Sequence, residues 1–359
     1  MAERCKMLLS QLETPALIID LDIFEYNINK MKEMINGKLI KLRPHYKSHK
    51  CSVIAHKQMK AGAKGITCAK LSEAEDLAYS GIKDILIANQ IVDPVKILRL
   101  AQIARVCRIT ICVDNEENII QLSQGAKYVG SQIYCLVELN SGMERCGVNS
   151  FEEVYKLAKL INNSENLVFE GIQSYAGHIS HEENMEKCKT TIVQLEKKLM
   201  NLKFFLENKG IKVKENSGGS TGTSLIKSNS NIYTELQAGS YILMDATYKK
   251  TCPEFKNALF ILSTVISSRK DVFITDTGIK SCSVDQDLPQ LLQFPDAAIY
   301  LNEEHSIINF KGHNFKIKDK ILYIPGHCCT TVNLFDKIYF VRKGQVEDVS
   351  SITSRGRSI

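Results

Sequence analysis

Between residue 38 and about residue 240 the chain alternates short apolar runs with longer amphipathic stretches, and this alternation constrains the fold more than any other feature. The strand-like runs are "LIKLR" (39–43), "GITCA" (65–69), "DILIA" (84–88), "CRITICV" (107–113), "QIYCLVEL" (132–139), "LVFEGIQ" (167–173), "KVKEN" (212–216) and "YTELQ" (233–237). Helical patterns such as "LSEAEDLAYSG" and "NMEKCKTTIVQLEKKLMNLKFFLENKG" lie between them, and Gly210 ends the second as a helix C-terminal residue. Each helix returns the chain to the same end of the sheet, so the strands must run parallel. Eight such units in roughly 200 residues predict a (β/α)₈ barrel of TIM type.

After about residue 250 the pattern changes. "ALFILSTVISS", "DVFITDTG", "AAIYL", "HSIINF" and "KIYFVRKG" are β-type runs with turn residues between them. The reading is a barrel over residues 21–248 and a β domain over 1–20 and 249–359, the early run "PALIIDLDIF" starting before the barrel count. The tail "SSITSRGRSI" reads as loosely ordered.

Bulk properties exclude several roles. Apolar residues make up 44% and charged residues 24%, enough for a large core under an ordinary surface. The net charge of +6 is spread among acidic residues, so no nucleic-acid stripe is present. No apolar run approaches the ~20 residues of a membrane span, and "MAERCKMLLSQLE" is a poor signal peptide. Twelve cysteines without regular spacing suit reduced thiols in the cytoplasm.

Barrel chemistry belongs on the loops at the strands' C-terminal ends, and the unusual residues fall there. "RPHYKSHK" (43–50) follows the first strand and carries Arg43, His45, Lys47, His49 and Lys50. It is either a solvated basic loop or a setting in which neighbouring cations lower a lysine's pKa for Schiff-base chemistry. "SGGSTGT" (Ser217, Gly218, Gly219, Ser220, Thr221, Gly222, Thr223) follows the seventh strand. It is either a flexible turn or a phosphate cradle, and barrel phosphate sites recur at this place. A phosphate site together with a reactive lysine points to pyridoxal 5'-phosphate. "PGHCCTTVNL" places His327 and Cys329 on alternate positions. On an extended strand they would share a face and could bind Zn²⁺, or they are simply a loop histidine and small cysteines. "EEH" (303–305) and "DTGIK" (276–280) stay open between surface loops and a functional charge.

Taken in order, "TPALIIDLDIFEYNI", "RPHYKSHK", "SGMERCGV", "GIQSYAGHISH", "GGSTGT", "ELQAGSYILMD", "DTGIKSCSVD", "EEH" and "PGHCCTTVNL" resemble the metal-activated pyridoxal enzymes of the D-threonine aldolase and D-serine dehydratase group. The resemblance implies the alanine racemase fold, PLP fold type III. It implies that Lys47 forms the Schiff base, that Arg145 lies near the phenolic oxygen, that Tyr175 lies beside the cofactor, and that residues 217–223 hold its phosphate. It gives the metal to His327 and Cys329. His181 stands where the aldolases keep a base for the substrate's β-hydroxyl, which favours aldol cleavage. The H-x-C pattern is instead that of the eukaryotic-type dehydratases, where aldolases show H-x-D. Thiolate moves the metal preference towards Zn²⁺ and away from Mn²⁺ or Mg²⁺. The expected activity is D-threonine cleavage to glycine and acetaldehyde. The alternatives are D-serine dehydration, amino-acid racemisation and a PLP-homeostasis role. Expected partners are a small D-amino acid and a second copy in a homodimer, with no nucleic acid and no membrane.

Overall fold

The computed structural model describes residues 7–359; Cys5 and the rest of residues 1–6 of the expected β domain lie outside the described residues. Two compact units are present. One is Lys32–Lys47, Ile54–Gly239 and Arg357–Ile359; the other is Met1–Met31, Ser48–Val53 and Ser240–Gly356.

The first unit holds eight parallel strands: β2 (Lys41–Leu42), β3 (Ile66–Cys68), β4 (Asp84–Ile87), β5 (Arg108–Val113), β6 (Ile133–Glu138), β7 (Leu167–Ser174), β8 (Glu215–Gly218) and β9 (Glu235–Leu236). β1 (Ala16–Asp20) belongs to the other unit. The strand order is β2-β9-β8-β7-β6-β5-β4-β3. A bridge between His45 and Thr67 joins the two ends of that order. β5 is buried from Ile109 to Val113, as both faces of a helix-covered parallel strand must be. The intervening helices start where side chains satisfy their free N–H groups. Asp93 accepts from Lys96 N at 3.0 Å ahead of α4 (Pro94–Ile103), Pro94 being already fixed in φ. Ser150 and Glu153 form a capping box for α6 (Phe151–Asn163). α7 (Met185–Asn208) ends as expected, with Gly210 at φ 81° just beyond it.

The seventh barrel strand corrects the expectation. "KVKEN" was its predicted core, yet the ladder runs over Glu215–Gly218, pairing Gly171 with Glu215 and Ser174 with Gly218. Ser217 and Gly218 are therefore strand, not turn. Small residues hid this from a reading based on apolar periodicity. A Cβ on Gly218 would stand 2.1 Å from Ser174 O, so only glycine lets the strands approach. β7 carries a bulge opposite Cys135 and Leu136, which leaves Glu170 out of the ladder. Its carboxylate then reaches Arg108 (2.5 Å) and Lys214 (3.3 Å).

Charged residues from several strands form one buried network. Arg43 is 3% exposed and bonds Asp84 and Glu235, both at 2.9 Å. Lys64 adds contacts to Glu215 (2.5 Å) and Glu235 (2.8 Å).

The second unit is a mostly antiparallel sheet. Its strands are β1, β10 (Leu259–Arg269), β11 (Val272–Thr275), β12 (Gln290–Leu291), β13 (Ala298–Leu301), β14 (Ser306–Asn309), β15 (Lys320–Ile324), β16 (Lys337–Arg342) and β17 (Gln345–Ser351). The main order is β13-β14-β11-β10-β1-β16-β17, with β15 beside β10 and β12. β1 runs antiparallel to β10 and parallel to β16, pairing Ile18 with Phe260 and with Tyr339. Leu12, Ile18, Phe260, Leu262, Ile324 and Val341 make its core. The tail is better ordered than expected: Ser350 and Ser351 extend β17, and Ser354 N donates to Lys50 O at 2.9 Å. "DTGIK" and "EEH" meet on the surface, where Lys280 pairs with Glu304 (2.9 Å) and Glu303 (3.3 Å). Among the described residues no helix is long and apolar enough to cross a membrane.

Candidate active site

A cavity of about 230 Å³ opens at the C-terminal ends of the barrel strands. Lys47 and His45 enter it after β2, Asn89 after β4, Arg145 after β6, Tyr175 after β7 and Gln237 after β9. Lys47 is exposed in a 3₁₀ turn, Tyr46–Ser48. Its Nζ lies 6.0 Å from the centroid of the Tyr175 ring, and Arg145 Cζ lies 5.7 Å from the same centroid. An amine and a guanidinium thus both lie near one aromatic ring. Below them, Gln237 Nε2 donates to Gln173 Oε1 (2.7 Å) and to Ser217 Oγ (2.8 Å). Glu138, the last residue of β6, accepts from Gln90 Nε2 at 2.6 Å. Burial raises its carboxyl above the usual carboxylate range, against the pull of Gln90 and Arg145. The sequence reading missed Glu138, Gln173 and Gln237; their positions at strand ends were the available signal.

The basic run does not act as one group. Of its five cationic positions only His45 and Lys47 line the cavity. Arg43 is committed to Asp84 and Glu235, and His49 is buried.

The residues of "SGGSTGT" sit at the neighbouring strand end without lining this cavity. After β8 the chain turns through a 3₁₀ helix, Thr221–Thr223, into the short α8 (Ser224–Lys227). Ser220 N donates to Thr223 Oγ1 at 3.0 Å, and Ser180 Oγ donates to Ser220 Oγ at 2.9 Å. A Cβ on Gly222 would stand 1.7 Å from Ser180 O, which fixes that glycine. His181 follows Ser180; it is half-buried and, among the described residues, is not part of the cavity lining.

These residues fit an anionic carbonyl cofactor. The cavity presents a solvent-accessible amine and a guanidinium, and beside the turn the buried amine of Lys227 has no hydrogen-bond partner.

In the second unit His327 caps α10 (Cys328–Val332), and Cys329 is that helix's second residue. This corrects the extended-strand geometry expected for the pair. Cys329 is nonetheless close enough to act electrostatically on the imidazole. His327 Nδ1 bonds Asp285 Oδ2 at 2.8 Å, which orients the ring and commits that nitrogen. Burial disfavours the imidazolium, but Cys329 and Asp285 outweigh it and hold His327 up at about 9. Asp285 is held down at about 2: burial opposes this, and Ser283, Thr330 and His327 prevail. Among the described residues no third His, Cys, Asp or Glu joins a metal-binding group. Imidazole and thiol are both donor types that a divalent ion such as Zn²⁺ takes.

The parallel barrel followed by a mostly antiparallel sheet is the alanine-racemase-like fold. The chain belongs to the family described as "Alanine racemase, N-terminal domain", whose model matches residues 19–247. A second model, "Putative serine dehydratase domain", matches residues 258–341. A "3-hydroxy-D-aspartate aldolase" of Paracoccus denitrificans (strain Pd 1222) is 38% identical, over 97% of this chain and 93% of that protein. A "D-threonine aldolase" of Arthrobacter sp is 37% identical, over 98% and 94%. The crystal structure of D-threonine aldolase from Filomicrobium marinum superposes with a TM-score of 0.96 at 33% identity, covering all of both chains.

Proposed function

We propose that this chain is a pyridoxal-phosphate- and divalent-metal-dependent lyase that cleaves D-β-hydroxy-α-amino acids between Cα and Cβ, with D-threonine giving glycine and acetaldehyde. The observation that carries this reading is the accessible Lys47 amine, near the same Tyr175 ring as Arg145. The names of the relatives at 37–38% identity support cleavage, and those named dehydratases stand lower, at 26% and 23%. The reading includes a homodimer, as the fold resemblance implies, and a cytoplasmic setting, as the scattered cysteines suit.

Lys47 would hold the cofactor carbonyl, Arg145 and Tyr175 would orient the ring, and residues 217–223 would receive the phosphate. His327 and Cys329 would hold the ion, with Asp285 fixing the imidazole. The cofactor supplies an electron sink for the charge left on Cα, and the ion polarises the β-hydroxyl. His181 would take the proton from that hydroxyl as Cα–Cβ breaks. A positioned base contributes roughly 10²–10⁴-fold. His181→Ala should lose that much D-threonine cleavage and keep its cofactor. Assays of acetaldehyde from D-threonine, glyoxylate from D-3-hydroxyaspartate and pyruvate from D-serine test the reading. Pyruvate as the sole product would replace it with dehydration, the reaction that Cys329 favours.

Cys329→Asp tests the ion. A carboxylate is harder than a thiolate, so activation of metal-stripped protein should shift from Zn²⁺ towards Mn²⁺. An unchanged order of metals would remove Cys329 from the ligand set.

A further inference from the structure

Lys227 is the last residue of α8 and is 1% exposed, yet its Nζ has no hydrogen-bond partner. A buried amine without a partner is costly and calls for an explanation. Its stem packs against the glycine turn, with Cδ 3.1 Å from where a Cβ on Gly219 would stand. Its Nζ lies 3.7 Å from the centroid of the Tyr233 ring. Tyr233 OH bonds Ser174 Oγ (3.1 Å) and donates to Ser174 O (3.3 Å), and Ser174 O is the atom Gly218 packs against. Lys227, Gly218, Gly219, Ser174 and Tyr233 therefore form one packed group. The turn itself, Ser217–Thr223, has no charged side chain. Its hydroxyls of Ser220 and Thr223 bond each other at 3.2 Å.

We propose that Lys227 is the counter-charge of this anion-binding turn, standing behind Gly219 and taking the ammonium form when a phosphate dianion settles on residues 217–223. The inference rests on the cofactor reading above. The groups that face Lys227 are Glu196 and Cys188 of α7, which favour its charged form, and the neutral Tyr233 ring. Burial outweighs Glu196 and Cys188 and lowers the amine to about 7. At pH 8 the amine without ligand is mostly neutral. A dianion beside it raises its pKa, so binding draws a proton from the buffer. A ligand without phosphate gains nothing from it.

The test uses full-length, cofactor-free protein and two ligands, pyridoxal 5'-phosphate and pyridoxal. Calorimetry at pH 8 in buffers of different ionisation heat should show up to about one more proton taken up with the phosphorylated ligand. Lys227→Met should remove that excess and weaken the phosphorylated ligand about tenfold or more, leaving pyridoxal unchanged. The cofactor-free variant should melt no lower than wild type, because methionine removes a buried unpaired polar group. Equal affinity and equal proton uptake in the variant would overturn the proposal. So would a lower melting point with equal losses for both ligands, which is the signature of a packing role. If the variant does not fold, wild type taking up no excess proton overturns it alone. Wild type that fails to bind either ligand would instead defeat the cofactor reading itself.

Discussion

Replacing Lys47 by alanine is expected to abolish turnover, by on the order of 10⁵-fold or more, while the chain stays folded. The amine stands at the mouth of the cavity in an exposed 3₁₀ turn and packs no core, so its loss costs little stability. Borohydride reduction of wild-type protein with pyridoxal phosphate should fix the cofactor to the peptide that contains Lys47, and mass spectrometry of a digest reads this directly. Three lysines compete in principle: Lys47, Lys50 and Lys227. Lys227 is fully buried behind the glycine turn, and Lys50 does not line the cavity. Cofactor fixed to either of them, or retained at wild-type level in Lys47→Ala, would move the reactive amine elsewhere.

The largest effect on stability should come from Glu235→Gln. Glu235 is 2% exposed and accepts from Arg43 and Lys64. The substitution leaves a buried guanidinium short of one counter-charge, a change worth about 3–5 kcal/mol. Burial pushes the Glu235 carboxyl up, but Arg43 and Lys64 outweigh it, so its folded pKa is below the ordinary value. A depressed carboxyl contributes fully above its unfolded pKa of about 4.3 and loses that contribution as pH falls through the lower folded value. Urea denaturation should therefore find a wide gap between variant and wild type at pH 7, narrowing below about pH 4. A gap under about 1 kcal/mol at pH 7 would show that Asp84 and Glu215 carry the network without Glu235.

The barrel was legible because β4, β5 and β6 bury both faces and so read as mostly apolar runs. β8 was misplaced because its ladder is made by Asn, Ser and Gly, whose fit depends on backbone approach and leaves no hydrophobic period. The resemblance supplied Lys47, Arg145 and Tyr175, which the fold gathers in one cavity. It could not supply Asp285, which lies 42 positions before His327 and is joined to it only by the fold. Nor could it show where Arg43 goes: four residues before Lys47, it is bound into a carboxylate network while Lys47 faces solvent. "PGHCCTTVNL" read as extended because His327 and Cys329 alternate, but Cys328 N donates to Asp245 Oδ2 at 2.9 Å and the segment winds into α10.

The pairing of β1 with both β10 and β16 has a consequence for biosynthesis. Every barrel strand lies between residues 41 and 236, so the ribosome has delivered the whole parallel ring before β10 is made. β1 precedes every barrel strand, yet its neighbours Phe260 and Tyr339 follow all of them. During translation that leading strand has two unpaired edges, the condition most exposed to misassociation. Maturation therefore has a direction: the ring that would take the cofactor can form on the nascent chain, whereas the sheet carrying His327 and Cys329 cannot close around β1 until β16 has been made.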